Sequence, residues 1–187
     1  MAALPPATDE HFLLRQQAQS CVLELRGAID ASTVRRIEAP LRSVERLDCA
    51  RKVLLLRAED GIVGDAITLG AMIRNRGYTT QVAPGGTCRT PCALVFAAGI
   101  ERWLPAEPQP ARLVWTLIPP DADFGHRQCE AELSRAQQVT LMRYLRAMLP
   151  PQAALTAYQN LQAADCRSVV TTDPAQALAS GLATTIR

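Results

Sequence analysis

The sequence predicts an α/β fold built on a mostly parallel sheet. Two observations carry the prediction. Strand-length apolar runs alternate with segments of helical period through the first half of the chain. One of those runs, "KVLLLRA" (52–58), is apolar on both faces, as a central parallel strand must be. Because each strand is followed by a helix, the crossovers are expected to be right-handed.

In chain order, "CVLELRG" (21–27) reads as the first strand. Asp30 or Ser32 then caps a helix through about Leu47, with Val34, Ile37, Leu41 and Val44 at helical spacing. After "KVLLLRA" comes a turn and a helix (58–77) stopped by Gly77, a third strand "YTTQVA" (78–83), and a loop "PGGT" (84–87). "CRTPCALVFAAG" (88–99) is the start of a buried helix, with an apolar run from Ala93 to Ala98. "ERWLP" (101–105) and "ARLVWTLI" (111–118) read as strands, and a long helix is expected from about His126 to Leu149. Pro150 and Pro151 stop it, and Pro151 suits the first turn of a further helix through about Ala163. The tail "VVTTDPAQALASGLATTI" (169–186) reads as strand, capped helix, Gly181 stop and final strand. Residues 1–19 are expected to be disordered and 20–187 to form a single domain.

Composition narrows the function. With 48% hydrophobic residues, 20% charged residues and a net charge of +2, the chain reads as an ordinary globular protein. Its arginines alternate with acids, as in "VRRIEAPLRSVER" (34–46), which is a solvated helix face and not a nucleic-acid-binding stripe. No apolar run approaches the roughly 20 residues that span a bilayer, and the N-terminus lacks the regions of an export signal. The six cysteines, Cys21, Cys49, Cys88, Cys92, Cys129 and Cys166, point the other way, since an even count suits an oxidising compartment. Buried reduced thiols are the alternative. If bridges form, a signal peptide has been removed ahead of Met1 and the protein is periplasmic. If the chain is complete as it stands, it is cytoplasmic.

The order of elements resembles the ClpP/crotonase superfamily, in particular bacterial periplasmic proteins with a ClpP-like domain, over roughly residues 20 to 186. The resemblance rests on "LRGAID" (25–30), on "LLLRAEDGIVGDAITLGAMIRNRG" (54–77) in place of a strand, Ser-Pro-Gly-Gly turn and helix, on "CRTPCALVFAAGIER" (88–102) in place of Cys-x-Ser-Ala-Cys and Gly-x-x-Arg, and on "TTDPAQALASGL" (171–182). It implies a spiral of β-β-α units with a mostly parallel central sheet and flanking C-terminal helices. It also implies a serine nucleophile at the start of the central helix, a histidine base on a following strand, an orienting acid near the C-terminal helix, and two backbone N–H groups as an oxyanion hole.

Every one of those positions is altered here. Thr90 stands for the serine, and its methyl restricts χ1. Thr116, or Trp115 with a one-residue shift, stands for the histidine, and neither accepts a proton near neutral pH. Only His11 and His126 exist in the chain, one in the N-terminal segment and one expected at a helix start. The acidic position falls near Val169, with Asp165 the nearest carboxylate. Pro91 follows Thr90 and has no N–H to offer an oxyanion, a loss that typically costs about 10²–10³ in rate. In the second oxyanion loop, "AEDG" (58–61), Gly61 is kept but Glu59 and Asp60 replace proline and glycine.

These losses favour a catalytically degenerate domain that binds a protein partner or another copy of itself. The superfamily commonly forms trimers and rings through its C-terminal helices, and Met142, Tyr144, Met148 and Tyr158 offer more apolar surface than one small sheet needs. The competing reading is a peptidase or esterase that uses Thr90 with another base. No cofactor is expected, and Cys88-x-x-x-Cys92 lacks the partners of a zinc site. Three bridges are expected. Cys21 and Cys49 start neighbouring parallel strands, Cys88 and Cys92 pair if the helix start is not regular, and Cys129 then meets Cys166.

Overall fold

The computed structural model describes residues 10–58, 60–118 and 133–187. The strands are β1 (Phe12–Gln17), β2 (Ser20–Arg26), β3 (Arg51–Arg57), β4 (Thr79–Val82), β5 (Thr87–Arg89), β6 (Arg102–Trp103), β7 (Arg112–Trp115) and β8 (Val170–Thr172). The helices are α1 (Ala31–Arg36), α2 (Glu38–Glu45), α3 (Val63–Asn75), α4 (Thr90–Ala97), α5 (Arg135–Met148), α6 (Pro151–Ala163) and α7 (Pro174–Ser180).

Strands β1-β2-β3-β4-β6 form one sheet, in which only the β1–β2 pair is antiparallel. A second sheet, β5-β7-β8, pairs β5 with β7 in parallel and β7 with β8 antiparallel. Between them lies α4, every residue of which is buried. It touches β4 of the first sheet, β5 and β7 of the second, and the helices α3 and α5. An all-apolar helix has no wet face to present, so it must be enclosed by both layers.

Close packing explains two residues of the central layer. Tyr144 of α5 is buried and donates its hydroxyl to the Leu94 carbonyl at 2.6 Å. A Cβ on Gly70 of α3 would lie 1.9 Å from that hydroxyl, so glycine is what lets α3 approach. Gly77 and Gly181 stop α3 and α7 with φ of +71° and +79°, as expected of C-terminal glycines.

Several elements differ from the sequence expectation. Residues 12–17, expected to be disordered, form β1, the antiparallel edge strand beside β2. A tight turn at Ala18 and Gln19 closes this hairpin, which periodicity does not signal because it carries no glycine or proline. The helix expected through Leu47 breaks at Ile37. Pro40 cannot donate to the Arg36 carbonyl, and placing it in the first turn of α2 removes that demand. The helix expected from His126 begins at Arg135, where Ser134 and Gln137 form a reciprocal capping box. His126 itself lies outside the described residues. The strand expected after Gly181 is reduced to a single bridge between Trp103 and Thr185, and "ERWLP" contributes only the two residues of β6. Tyr144 and Met148, expected as surplus apolar surface, are buried in the chain's own core, and Met142 and Tyr158 are half-buried.

The β1–β2 turn yields one prediction. Ala18 sits at φ +51°, a left-handed conformation that costs a Cβ-bearing residue about 1 kcal/mol. Ala18→Gly is expected to raise the unfolding free energy by about 0.5 kcal/mol, the relief of strain exceeding the added flexibility of the unfolded chain. A lowered urea midpoint would contradict it.

Candidate active site at the start of α4

The pairing of β5 with β7 sets the geometry. Their register places Arg89 beside Val114, so the residues that follow each strand, Thr90 and Thr116, come together. The Thr90 hydroxyl accepts the Thr116 N–H at 2.6 Å and lies 3.1 Å from both the Thr116 carbonyl and the Thr116 hydroxyl. Thr90 is fully buried. Thr90 and Thr116, two of the positions that the resemblance singles out, are therefore in hydrogen-bond contact. Trp115 points elsewhere, buried and donating its ring N–H to the Thr172 hydroxyl at 3.0 Å.

Pro91 takes the second position of α4, where a missing N–H breaks no helical bond. Cys88 on β5 and Cys92 on α4 are joined by a disulfide, with Cα atoms 5.2 Å apart. The bond closes across an extended residue, Arg89 (φ −76°, ψ 169°), and not across a helical turn, which meets the condition set by the spacing.

Residues 60–62 pack on "GAID" (27–30). Ile29 donates to the Asp60 carbonyl at 3.0 Å and Ile62 donates to the Ile29 carbonyl at 2.8 Å. Gly61 adopts φ +151°, and a Cβ there would lie 2.4 Å from the Ile29 carbonyl oxygen, so only glycine fits. Its N–H donates to the Asp60 carboxylate at 2.8 Å. A donor that the resemblance would turn toward an oxyanion is thus taken by a carboxylate of the chain. Glu59 lies outside the described residues.

Asp165 also serves locally. Its carboxylate accepts from the Arg167 N–H at 2.7 Å and from the Ser168 N–H and hydroxyl at 2.8 and 3.0 Å, closing an exposed turn. The Arg167 N–H, then the two Ser168 donors, hold its carboxyl below the usual range. Val169 is exposed. Among the described residues, no three His, Cys, Asp or Glu side chains are placed to hold a metal ion.

No protein-family model and no curated protein matches the sequence. Solved structures do match its fold. A mutant of the membrane-bound stomatin-specific protease 1510-N aligns with a TM-score of 0.63 and 11% identity over 88% of this chain and 77% of that one. An enoyl-CoA hydratase from Mycobacterium marinum aligns at 0.61 and 12% over 95% and 77%, and the ClpP protease catalytic domain from Plasmodium falciparum at 0.59 and 13% over 90% and 84%. The chain has a ClpP/crotonase-like fold.

Within the ClpP/crotonase-like fold, the last two motifs of the resemblance prove to be one structural device. Arg102 of "GIER" is buried and donates to the carbonyls of Leu182 at 2.7 Å, Gly181 at 3.1 Å and Gly99 at 3.1 Å. Arg74 of α3 also donates to Gly99, and to Ala98 and Met148. Burial, with the nearby Arg74 charge, lowers the Arg102 pKa.

Sequence reading did not single out Glu24, the buried acid of β2, which pairs with three arginines. The signal was available, since an acid in the middle of an apolar strand must find a cation.

The cysteines fall largely as expected. Cys21 and Cys49 are bridged with Cα atoms 5.7 Å apart. Cys166 is also disulfide-bonded, while its expected partner, Cys129, lies outside the described residues. Among the described residues no helix is long and apolar enough to cross a membrane.

Proposed function

We propose that this chain is a catalytically degenerate ClpP-like domain that acts as a binding or assembly module in the bacterial periplasm. One observation carries the reading: the Thr90 hydroxyl is fully buried and committed to the backbone of Thr116. A nucleophile needs an approach path for the substrate carbonyl and a base for its proton. Here the path is closed, and the neighbouring group is another hydroxyl. Pro91 and the Asp60-bound N–H of Gly61 bear on the oxyanion side in the same sense. The disulfides support an oxidising compartment.

The purified protein is expected to show no hydrolysis of generic ester or peptide substrates and no labelling by a fluorophosphonate. Thr90→Ser is expected to stay inactive, because it restores neither base nor oxyanion donor. Turnover that vanishes in Thr90→Ala would overturn the reading in favour of a hydrolase. For assembly, light scattering is expected to return a multiple of the 20.3 kDa chain mass. A mass of one chain would leave a different protein as the partner.

A further inference from the structure

We propose that the carboxyl ends of β2 and β3 form a binding site for a doubly charged oxyanion of the phosphate type, held by Arg26, Arg57 and Thr87. Glu24 organises it. Its carboxylate, 2% exposed, accepts a hydrogen bond from Nε of Arg26 at 2.8 Å and forms ion pairs with Nε of Arg57 at 2.7 Å and Nη2 of Arg15 at 3.4 Å. Burial alone would raise its pKa. The Arg26 hydrogen bond and the charges of Arg26, Arg57 and Arg15 outweigh that and hold it below the usual range, so it stays ionised at neutral pH.

The cluster itself, three arginines on one carboxylate, carries an excess of two positive charges, while Asp60 of the following loop is engaged by the Gly61 N–H. The side chains of Arg15, Arg26 and Arg57 are 51%, 50% and 48% exposed. The Nε hydrogen bond to Glu24 orients the Arg26 guanidinium, the Arg57 guanidinium lies against the same carboxylate oxygen, and the terminal nitrogens of both make no hydrogen bond among the described residues. Planar donor forks held in this way match the paired oxygens of a phosphate.

Position and shape agree with the charge. Arg26 and Arg57 are register partners and the last residues of adjacent parallel strands. In open α/β sheets ligands bind beyond the carboxyl ends of the strands. Next to Arg57 is a cavity of about 90 Å³ lined by Leu56, Arg57, Ala83, Gly86 and Thr87. The Thr87 hydroxyl has no partner among the described residues and adds a neutral donor. A dianion cancels the excess charge, whereas a single carboxylate leaves half of it. The site uses neither Thr90 nor Pro91, so it stands whether or not the remnant is inactive.

Calorimetric titration with inorganic phosphate at neutral pH and low salt, beside acetate and glycerol phosphate, tests this. Phosphate is expected to bind, acetate about ten-fold more weakly, and Arg57→Gln to lose about ten-fold in phosphate affinity, the worth of one charged hydrogen bond. Thr87→Val, which leaves the Glu24 cluster untouched, is expected to weaken binding by a smaller factor. Tighter binding of glycerol phosphate would identify a phosphoryl group on a larger molecule as the ligand, and preference for the free ion would identify phosphate itself. Absence of phosphate binding, or undiminished binding in both folded variants, would overturn the proposal.

Discussion

Arg102→Ala is expected to lower the unfolding free energy by about 3–5 kcal/mol, a large share of a typical domain's stability. The buried guanidinium satisfies three carbonyls at once, at Gly99, Gly181 and Leu182. Alanine leaves the Leu182 and Gly181 carbonyls without this donor, while Gly99 keeps only Arg74, and each unsatisfied carbonyl costs about 1–3 kcal/mol. The residue also joins distant parts of the chain. Its carbonyl accepts from Thr184 N–H at 2.8 Å, so β6, the end of α7 and the C-terminal segment are tied through one position. Arg102→Lys keeps the charge but replaces a planar fork by a point donor, and should recover only part of the loss. Urea unfolding of the three proteins measures it. A loss below about 1 kcal/mol for alanine would mean that the carbonyls find other partners.

Removing the Cys21–Cys49 bond is expected to cost about 3.5 kcal/mol, the loop-closure value for a sequence separation of 28. The same relation assigns about 2 kcal/mol to Cys88–Cys92, whose separation is 4. The longer loop matters more because the unfolded chain loses more freedom when its ends are tied. Alanine at both positions of the first pair is the right substitution, since Cys21 is fully buried and a serine hydroxyl there would lack a partner. Urea midpoints of the oxidised parent and the Cys21→Ala/Cys49→Ala variant give the difference. A loss of less than about 1 kcal/mol would show that residual structure in the unfolded state already holds these segments together.

The sequence by itself determined the parts of this protein that depend on local pattern. The all-apolar helix after Pro91, the parallel strand 52–58, the glycine stops at Gly77 and Gly181 and the pairing of Cys21 with Cys49 all follow from period, backbone chemistry or strand order. The resemblance singled out Thr90 and Thr116, and the two lie in hydrogen-bond contact. What periodicity misses is structure made by contact. Residues 12–17 are a strand only because β2 is there to pair with them, and Tyr144 and Met148 are core only because α4 lies beneath α5. The start of α5 was misplaced because one capping box outweighs an extended apolar pattern.

At the site, the tertiary structure decided what residue identity left open. A threonine at a helix start can present its hydroxyl or enclose it, and the two differ by where the hydroxyl finds a partner. Here β5–β7 register delivers the Thr116 backbone to that hydroxyl. The Glu24 arginines were likewise unreadable as a group. Arg15, Arg26 and Arg57 come from three strands, and only sheet pairing brings their charges within reach of one buried carboxylate. Hydrogen bonds and ion pairs act over a few ångströms of space, and one-dimensional spacing reports such distances only within a single helix or strand.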